Sequence, residues 1–525
     1  MSMWKFVIIL GFVTALFGCS EPPTEIDTLI MNGLIYDGSG GESYGADIGI
    51  KGGKISFIGD AESANLKTPN VIFADGLMVT PGFIDMHSHS NPESEYARAG
   101  LPYIYQGITT ASLGLDGAGT HEITKRYEGF KRDGIGINHF SYVGHNWVRT
   151  QAMGEDARAP SEGEMNVMKA MIRQGMEEGA FGMSSGLFYV PGKYSETSEV
   201  IEIAKIAAEY EGIYDTHDRD LGASYNGIGY LPSIREGIKI GEMSGTRVIF
   251  SHFNAQGAHN YGRANEGAAI INEARLRGVE VAGAQHVYNA TQSSIRAYTL
   301  PPWATDGGYE ATIARFDNLE AVAKLDIETM EMLAIRGGPS KIKLIDVNPE
   351  INGKTLDVVA SERGQTVPEA VRKIYRDRQG SVMNLELYDD NNTKYLAQEE
   401  WMMTCTDGRV PHPDQVSAHP RTYGTFTKKL REYALEDRLI SMPFAIRSMT
   451  GLAADFLRLE DRGYLKVGQA ADIAIFDPAK IRDVTTYEDP KRFSEGTIHV
   501  LVNGEFVLKD GVHNGALAGI PILRK

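Results

Sequence analysis

Short apolar runs separated by helical stretches recur through most of this 525-residue chain, and no other feature restricts the fold as much. "PGFIDMHSH", "GITTASLGL", "GINHFSYVGH", "GAFGMSSGL", "EGIYDTHDRD", "TRVIFSHFN", "VEVAGAQHVY" and "EWMMTCTDG" read as buried strands. Between them lie patterns such as "SEGEMNVMKAMIRQGMEEG". There Ser161 and Glu164 form a capping box, and Met165, Met168, Met171 and Ile172 make one apolar face for core packing. Strand–helix units in series build a parallel sheet covered by helices. Eight strands are the number that closes a (β/α)8, TIM-like barrel, expected here over 81–460.

Two regions break the rhythm. Residues 25–80 and 465–515 are short strands joined by Asn-Gly and Gly-Gly turns. Lying at opposite ends of the sequence, they predict one small β-domain assembled from 20–80 and 461–525. A long stretch from about 298 to 396 separates the last two barrel strands. A connection of that size inside a compact domain is usually functional, most often a lid.

The first nineteen residues are a separate matter. Lys5 precedes the apolar run "FVIILGFVTALF", and "LFGC" follows. A basic start, a short apolar core and a small residue before the cut describe an export signal, too short to span a membrane comfortably. The Cys after the small residue resembles the bacterial lipobox, with Leu16 and Gly18 fitting and Phe17 bulkier than usual. That resemblance implies that Cys19 becomes a lipidated first residue, and Ser20 implies sorting to the outer membrane, facing the periplasm. The alternative is an ordinary cleaved signal with a chance Cys. Cys405 then stands alone, so the mature chain holds no internal disulfide.

Charge narrows the partners. With 52 Lys+Arg against 69 Asp+Glu the formal charge is −17, which argues against nucleic acid as a partner. An anionic substrate would need a local basic group acting against the global field.

Reactive residues of such a barrel sit at the C-terminal strand ends. In order these positions hold His87 and His89, Asp116, His145, Ser184 and Ser185, His217, His252, Tyr288 and Asp407. His87 and His89 are one residue apart, so an extended chain projects both to one side. Four of these five histidines and the two carboxylates, converging on one barrel mouth, suit one or two zinc ions.

These positions, with "YQGITT", "YVGH", "GAFGMSSGLFYVPGKY", "THDRD", "LPPW", "TDG", "HPRTYGTF" and "MTGLAADFLRLEDRGYLKVGQAADIAIFDP", resemble the amidohydrolase superfamily. Within it they are most similar to the D-aminoacylase (N-acyl-D-amino-acid deacylase) family, from about residue 25 to 515. The resemblance implies a metal-dependent barrel, a flanking β-sandwich, and an inserted segment closing over a small-molecule amide substrate. It implies His87 and His89 as ligands of one metal position, and His217 and His252 as ligands of the other. Asp407 becomes the catalytic carboxylate and a metal neighbour; His145, Tyr189, Tyr288 and Arg421 become substrate contacts.

Three positions depart from the family pattern. Asp116 stands where the family commonly has a metal-bridging cysteine, and a carboxylate can replace it as a bridge. Asn254 stands where a lysine usually faces the substrate carboxylate. His286 stands where a tyrosine is expected on the seventh strand, although Tyr288 is retained. A cyclic amide or another substrate that is not a D-amino-acid derivative is the second enzyme reading; such enzymes often bridge their metals with a carboxylated lysine, and "GAFGMSSGL" offers none. A non-catalytic periplasmic binding lipoprotein is the third, disfavoured because no ligand is lost.

Overall fold

The computed structural model describes residues 23–525, so the export signal and Cys19 lie outside the described residues. Eight short strands form the barrel: Phe83–Asp85, Ile108–Leu113, Asn138–Ser141, Gly182–Gly186, Ile213–His217, Arg247–Phe250, Val281–Gln285 and Met402–Thr404. Every ladder between neighbours is parallel. The third strand bends at Tyr142, pairing with the second strand before the bend and with the fourth through Val143–Gly144 after it.

Closure between the eighth and first strands uses few bonds. Asp407 N–H donates to the His87 carbonyl at 2.8 Å, and His89 N–H to the Gly408 carbonyl at 2.8 Å. The Asp85 carboxylate, fully buried, accepts from the Thr406 backbone N–H at 2.9 Å and from its hydroxyl at 2.5 Å. A buried carboxylate must have such partners. Here they fasten the strand leading to His87 to the strand leading to Asp407.

Helices cover the ring. In Glu162–Glu177 the Ser161–Glu164 capping box is formed in both directions, and Met168, Ile172 and Met176 are buried against the barrel. The interior is filled by side chains, among them Phe140, Tyr142, Phe181, Ile249 and Met403, so the barrel is a packed core and not a pore.

Both chain ends meet in one nine-stranded sheet. Its seam is the antiparallel pair Met78–Pro81 with Ile473–Phe476, and Ile30, Ile48, Val79, Ile475 and Leu501 cluster on it. The C-terminal residues depart from the expected boundary, because the last turn of chain leaves this sheet for the barrel. Ala518 bridges Ile135, Pro521 bridges His139, and Arg524 N–H reaches the Gly179 carbonyl at 3.0 Å.

The insertion also begins ahead of residue 298. Thr291–Ser294 is already the edge of a small antiparallel sheet with Ser381–Asn384 at its centre and Ile342–Leu344 beyond. Helices Gly308–Phe316, Leu319–Ile335, Leu356–Glu362 and Val367–Arg376 surround that sheet. Its core includes Ile295, Tyr298, Leu333 and Ile374, joined by Phe188 from the loop after the fourth barrel strand. The insertion therefore docks on the barrel's mouth.

Candidate metal centre

The first barrel strand stops at Asp85, and the extended segment beyond it carries His87 and His89, their ring centroids 5.3 Å apart. His217 ends the fifth strand, and His252 lies just past the sixth. Their rings are 4.5 Å apart, and His252 is 5.0 Å from His87. Asp116 follows the second strand, and Asp407 the eighth. Gly144 holds the Asp116 loop close: a Cβ there would lie 2.0 Å from the Gly117 carbonyl oxygen.

Three of these residues carry positive φ: Asp116 at 52°, His252 at 32° and Asp407 at 48°. Left-handed backbone is costly for side-chain-bearing residues and concentrates at functional sites. Here it turns each side chain back over the barrel mouth.

Two groups of donor atoms result, His87–His89–Asp116 and Asp116–His217–His252, each with its ligand atoms within 4.8 Å of one another. Asp116 belongs to both. One oxygen of Asp116 lies 3.6 Å from His87 Nε2 and 3.9 Å from His252 Nε2, and the other lies 3.4 Å from His89 Nε2. Asp407 Oδ1 is 3.2 Å from His89 Nε2 and 3.6 Å from His87 Nε2. His87 Nε2 and Asp116 Oδ1 are buried without a hydrogen-bond partner. Such polar atoms are costly to leave unsatisfied. Facing each other at 3.6 Å, too far to bond directly, they fit a shared cation.

The electrostatics agree with that donor set. Burial opposes ionisation of Asp116, but His87, His89 and His217 outweigh it and hold the carboxyl below its ordinary range. Burial also opposes ionisation of Asp407; Arg421, with His252 and His89, keeps it well below the usual carboxylate value. Desolvation depresses His87 to about 3 and His217 to about 4. At His89 burial is outweighed by the hydrogen bonds to Asp116 and Asp407, which push it to about 10. Two ionised carboxylates beside the neutral imidazoles of His87 and His217 are the ligand chemistry of a divalent cation.

A cavity of about 960 Å³ opens over this centre, lined by His89, Asp116, His217, His252 and Asp407 at its floor. Tyr189 and Arg421 also line it. Tyr189 packs edge-on against His217 at 4.7 Å and accepts a hydrogen bond from Ser293 at 3.3 Å. The Arg421 guanidinium is paired with Asp407, and its Nε has no partner among the described residues.

Three expectations are corrected. His145 is not part of the lining. It opens helix His145–Met153, and its Nε2 sits 2.9 Å from Glu199, which also takes Arg149 at 3.1 Å. Tyr288 turns toward the β-domain, its hydroxyl donating to Asp483 at 2.5 Å, with Lys428 over its ring. Asn254 is buried outside the cavity, donating to Thr393 at 2.8 Å while its own oxygen accepts the Ala255 N–H. The strand ladders end before all three positions, so strand alternation does not set the direction of these side chains. Ser184 and Ser185 serve the scaffold, the first bonding Gly114 and Gly117, the second bonding Tyr214 and Thr216.

Other residues adjoin the centre. His286 sets Nδ1 3.3 Å from the Tyr288 backbone nitrogen and directs Nε2 into the centre. That nitrogen is 4.0 Å from Asp407 Oδ2 and 3.3 Å from Arg421 Nη1. Asp215 is fully buried with Oδ1 4.0 Å from His87 Nδ1 and accepting the Ser251 hydroxyl at 2.6 Å. Its spacing from His217, two residues along one strand, was the available signal. Gln256, Tyr298, Tyr388 and Arg409 complete the walls.

The model of the amidohydrolase family matches residues 141–508. D-Aminoacylase of Alcaligenes xylosoxydans is 29% identical over 521 residues, 95% of this chain and 98% of that protein. N-acyl-D-aspartate deacylase of the same organism is 30% identical over 522 residues, 94% of each chain. The structure of N-acyl-D-glutamate deacylase from Bordetella bronchiseptica, complexed with zinc and a phosphonate inhibitor mimicking the tetrahedral intermediate, superposes with a TM-score of 0.80. It is 26% identical, over 95% of this chain and all of that one.

Proposed function

The chain belongs to the amidohydrolase family, and from that premise we propose that it hydrolyses linear amides of D-amino acids, chiefly N-acyl-D-amino acids, with zinc as cofactor. The observation that carries this reading is Asp116 shared by two three-donor groups, with an ionised Asp407 beside them. His87, His89, Asp116, His217 and His252 would hold one or two zinc ions. Bound zinc lowers the pKa of water towards neutrality and polarises a carbonyl.

The chain's own residues account for the proton. Hydrolysis adds one water across the amide C–N bond and releases a carboxylic acid and an amine. Asp407, kept ionised by Arg421, accepts the proton of the attacking water and returns it to the departing nitrogen. His286 packs beside the Asp407–Arg421 pair, its Nε2 3.3 Å from Arg421 Nη1, and helps fix the orientation of that pair. Tyr189 and the insertion's Tyr298 and Tyr388 wall the cavity, which places the scissile amide over the donor cluster and limits water to the reacting site.

Zinc analysis of purified protein, with a panel of matched N-acyl-D- and N-acyl-L-amino acids, tests this. The expected outcome is bound zinc with turnover of the D series. Zinc-loaded protein that turns over only the L series, or neither, would end the reading.

We also propose that a lipid at Cys19 anchors the protein in the bacterial envelope, on the outer membrane facing the periplasm. Lys5, the apolar run, "LFGC" and Ser20 support this. Fatty-acid labelling should mark the wild type and be lost in Cys19→Ser; an unlabelled wild type would refute the anchor.

A further inference from the structure

We propose that Arg409 is the residue that recognises the carboxylate of the substrate's amino-acid half, an inference that rests on the deacylase reading. The family resemblance left Arg421 as the cation for that role, because Asn254 stands where a lysine usually supplies one. Asn254 is turned away to Thr393, and the charge of Arg421 is already matched by Asp407. An anion entering a chain of formal charge −17 still needs a cation in the cavity.

Among the described residues no lysine lines the cavity, and three arginines do: Arg378, Arg409 and Arg421. Arg378 lies 3.7 Å over the Tyr309 ring and 3.9 Å from Glu310. The cavity's acidic residues are engaged as well. Glu155 pairs with Arg296 at 2.7 Å, and Asp346 accepts the Val347 and Gly380 N–H groups at 2.8 and 2.7 Å. Arg409 alone of the three arginines has no ion pair, ring contact or side-chain hydrogen bond among the described residues; only its carbonyl is used, by Thr422.

Its backbone, by contrast, is pinned. The Gly408 carbonyl takes the His89 N–H and the Tyr103 hydroxyl, both at 2.8 Å, and the Gly408 N–H donates to Thr406 at 3.0 Å. Arg409 therefore starts from a fixed point two residues after Asp407 and carries a free, exposed side chain at the cavity's edge. A planar fork of donors suits a carboxylate.

The test compares wild type, Arg409→Gln, Arg409→Lys and Arg378→Gln, all zinc-loaded, on N-acetyl-D-leucine, N-acetyl-D-glutamate and their carboxamides. Compounds that are not turned over are measured by calorimetric binding. Arg409→Gln should lower the acid-to-amide preference about tenfold, the scale of a charged hydrogen bond at a partly exposed site. Arg409→Lys should recover part of it, and Arg378→Gln should not reproduce the loss.

A loss on both acids assigns Arg409 to the α-carboxylate; a loss confined to glutamate assigns it to the side-chain carboxylate. An unchanged preference in Arg409→Gln, or an equal loss in Arg378→Gln, overturns the proposal while turnover by wild type leaves the deacylase reading standing. Acids that bind through Arg409 without turnover would uphold the role of Arg409 and end the deacylase reading. Acids that neither bind nor react would defeat both.

Discussion

The floor of the cavity is carried by strand ends, and its rim is drawn from loops and the insertion. On the floor, His87, His217 and Asp407 are held by ladders, by the Asp85–Thr406 bond and by the backbone links between the first and eighth strands. At the rim, Arg378 and Tyr388 come from the inserted segment, and Arg409 projects from a loop. The floor has redundant positioning and near-complete pairing of charge; the rim keeps a free cation. A site divided in this way can hold its hydrolytic chemistry constant while the side chains that choose the substrate vary.

Breaking the floor should have the largest effect. His217→Ala removes a donor from the Asp116–His217–His252 group, and metal analysis should show loss of that ion together with nearly all activity. Asp407→Asn keeps the shape and all the imidazoles but removes the proton acceptor. It should retain zinc and lose about 10²- to 10⁴-fold in kcat; near-normal turnover would take Asp407 out of the mechanism.

Asn254 sharpens the comparison from the opposite side, because it lies beside the floor yet outside the cavity. Asn254→Ala should leave kcat/KM within about threefold on free acids and amides alike, and should cost about 1 kcal/mol of stability through the lost bond to Thr393. A selective loss on free acids, seen in steady-state kinetics, would return Asn254 to the recognition site.

This division also explains what could be read from sequence. Strand ends in a barrel converge by construction, so His87, His89, Asp116, His217, His252 and Asp407 could be gathered without coordinates. Tyr288 and His145 could not be aimed correctly. The seventh ladder ends at Gln285, and the chain turns into a helix at His145, so two-residue alternation no longer sets direction there. Asp215 was legible from its spacing, two residues before His217 on the same strand. Arg409 had no periodic signal at all. Its significance comes from the partners it lacks, a property of the folded neighbourhood.

The pairing of the two chain ends has a consequence for how the molecule is made. Thr80 hydrogen-bonds to Ala474, 394 residues later. The chain is delivered in sequence order, so the early strands stand without their partner until everything between has emerged. Through that interval Met78–Pro81 offers an unpaired apolar edge, the kind of surface on which nascent chains associate wrongly. Nearly the whole barrel emerges before the waiting strand can be paired. The final residues, from Ala518 to Arg524, then seat against Ile135, His139 and Gly179. Completion of the small domain and fastening of the large one thus fall to neighbouring segments of the chain.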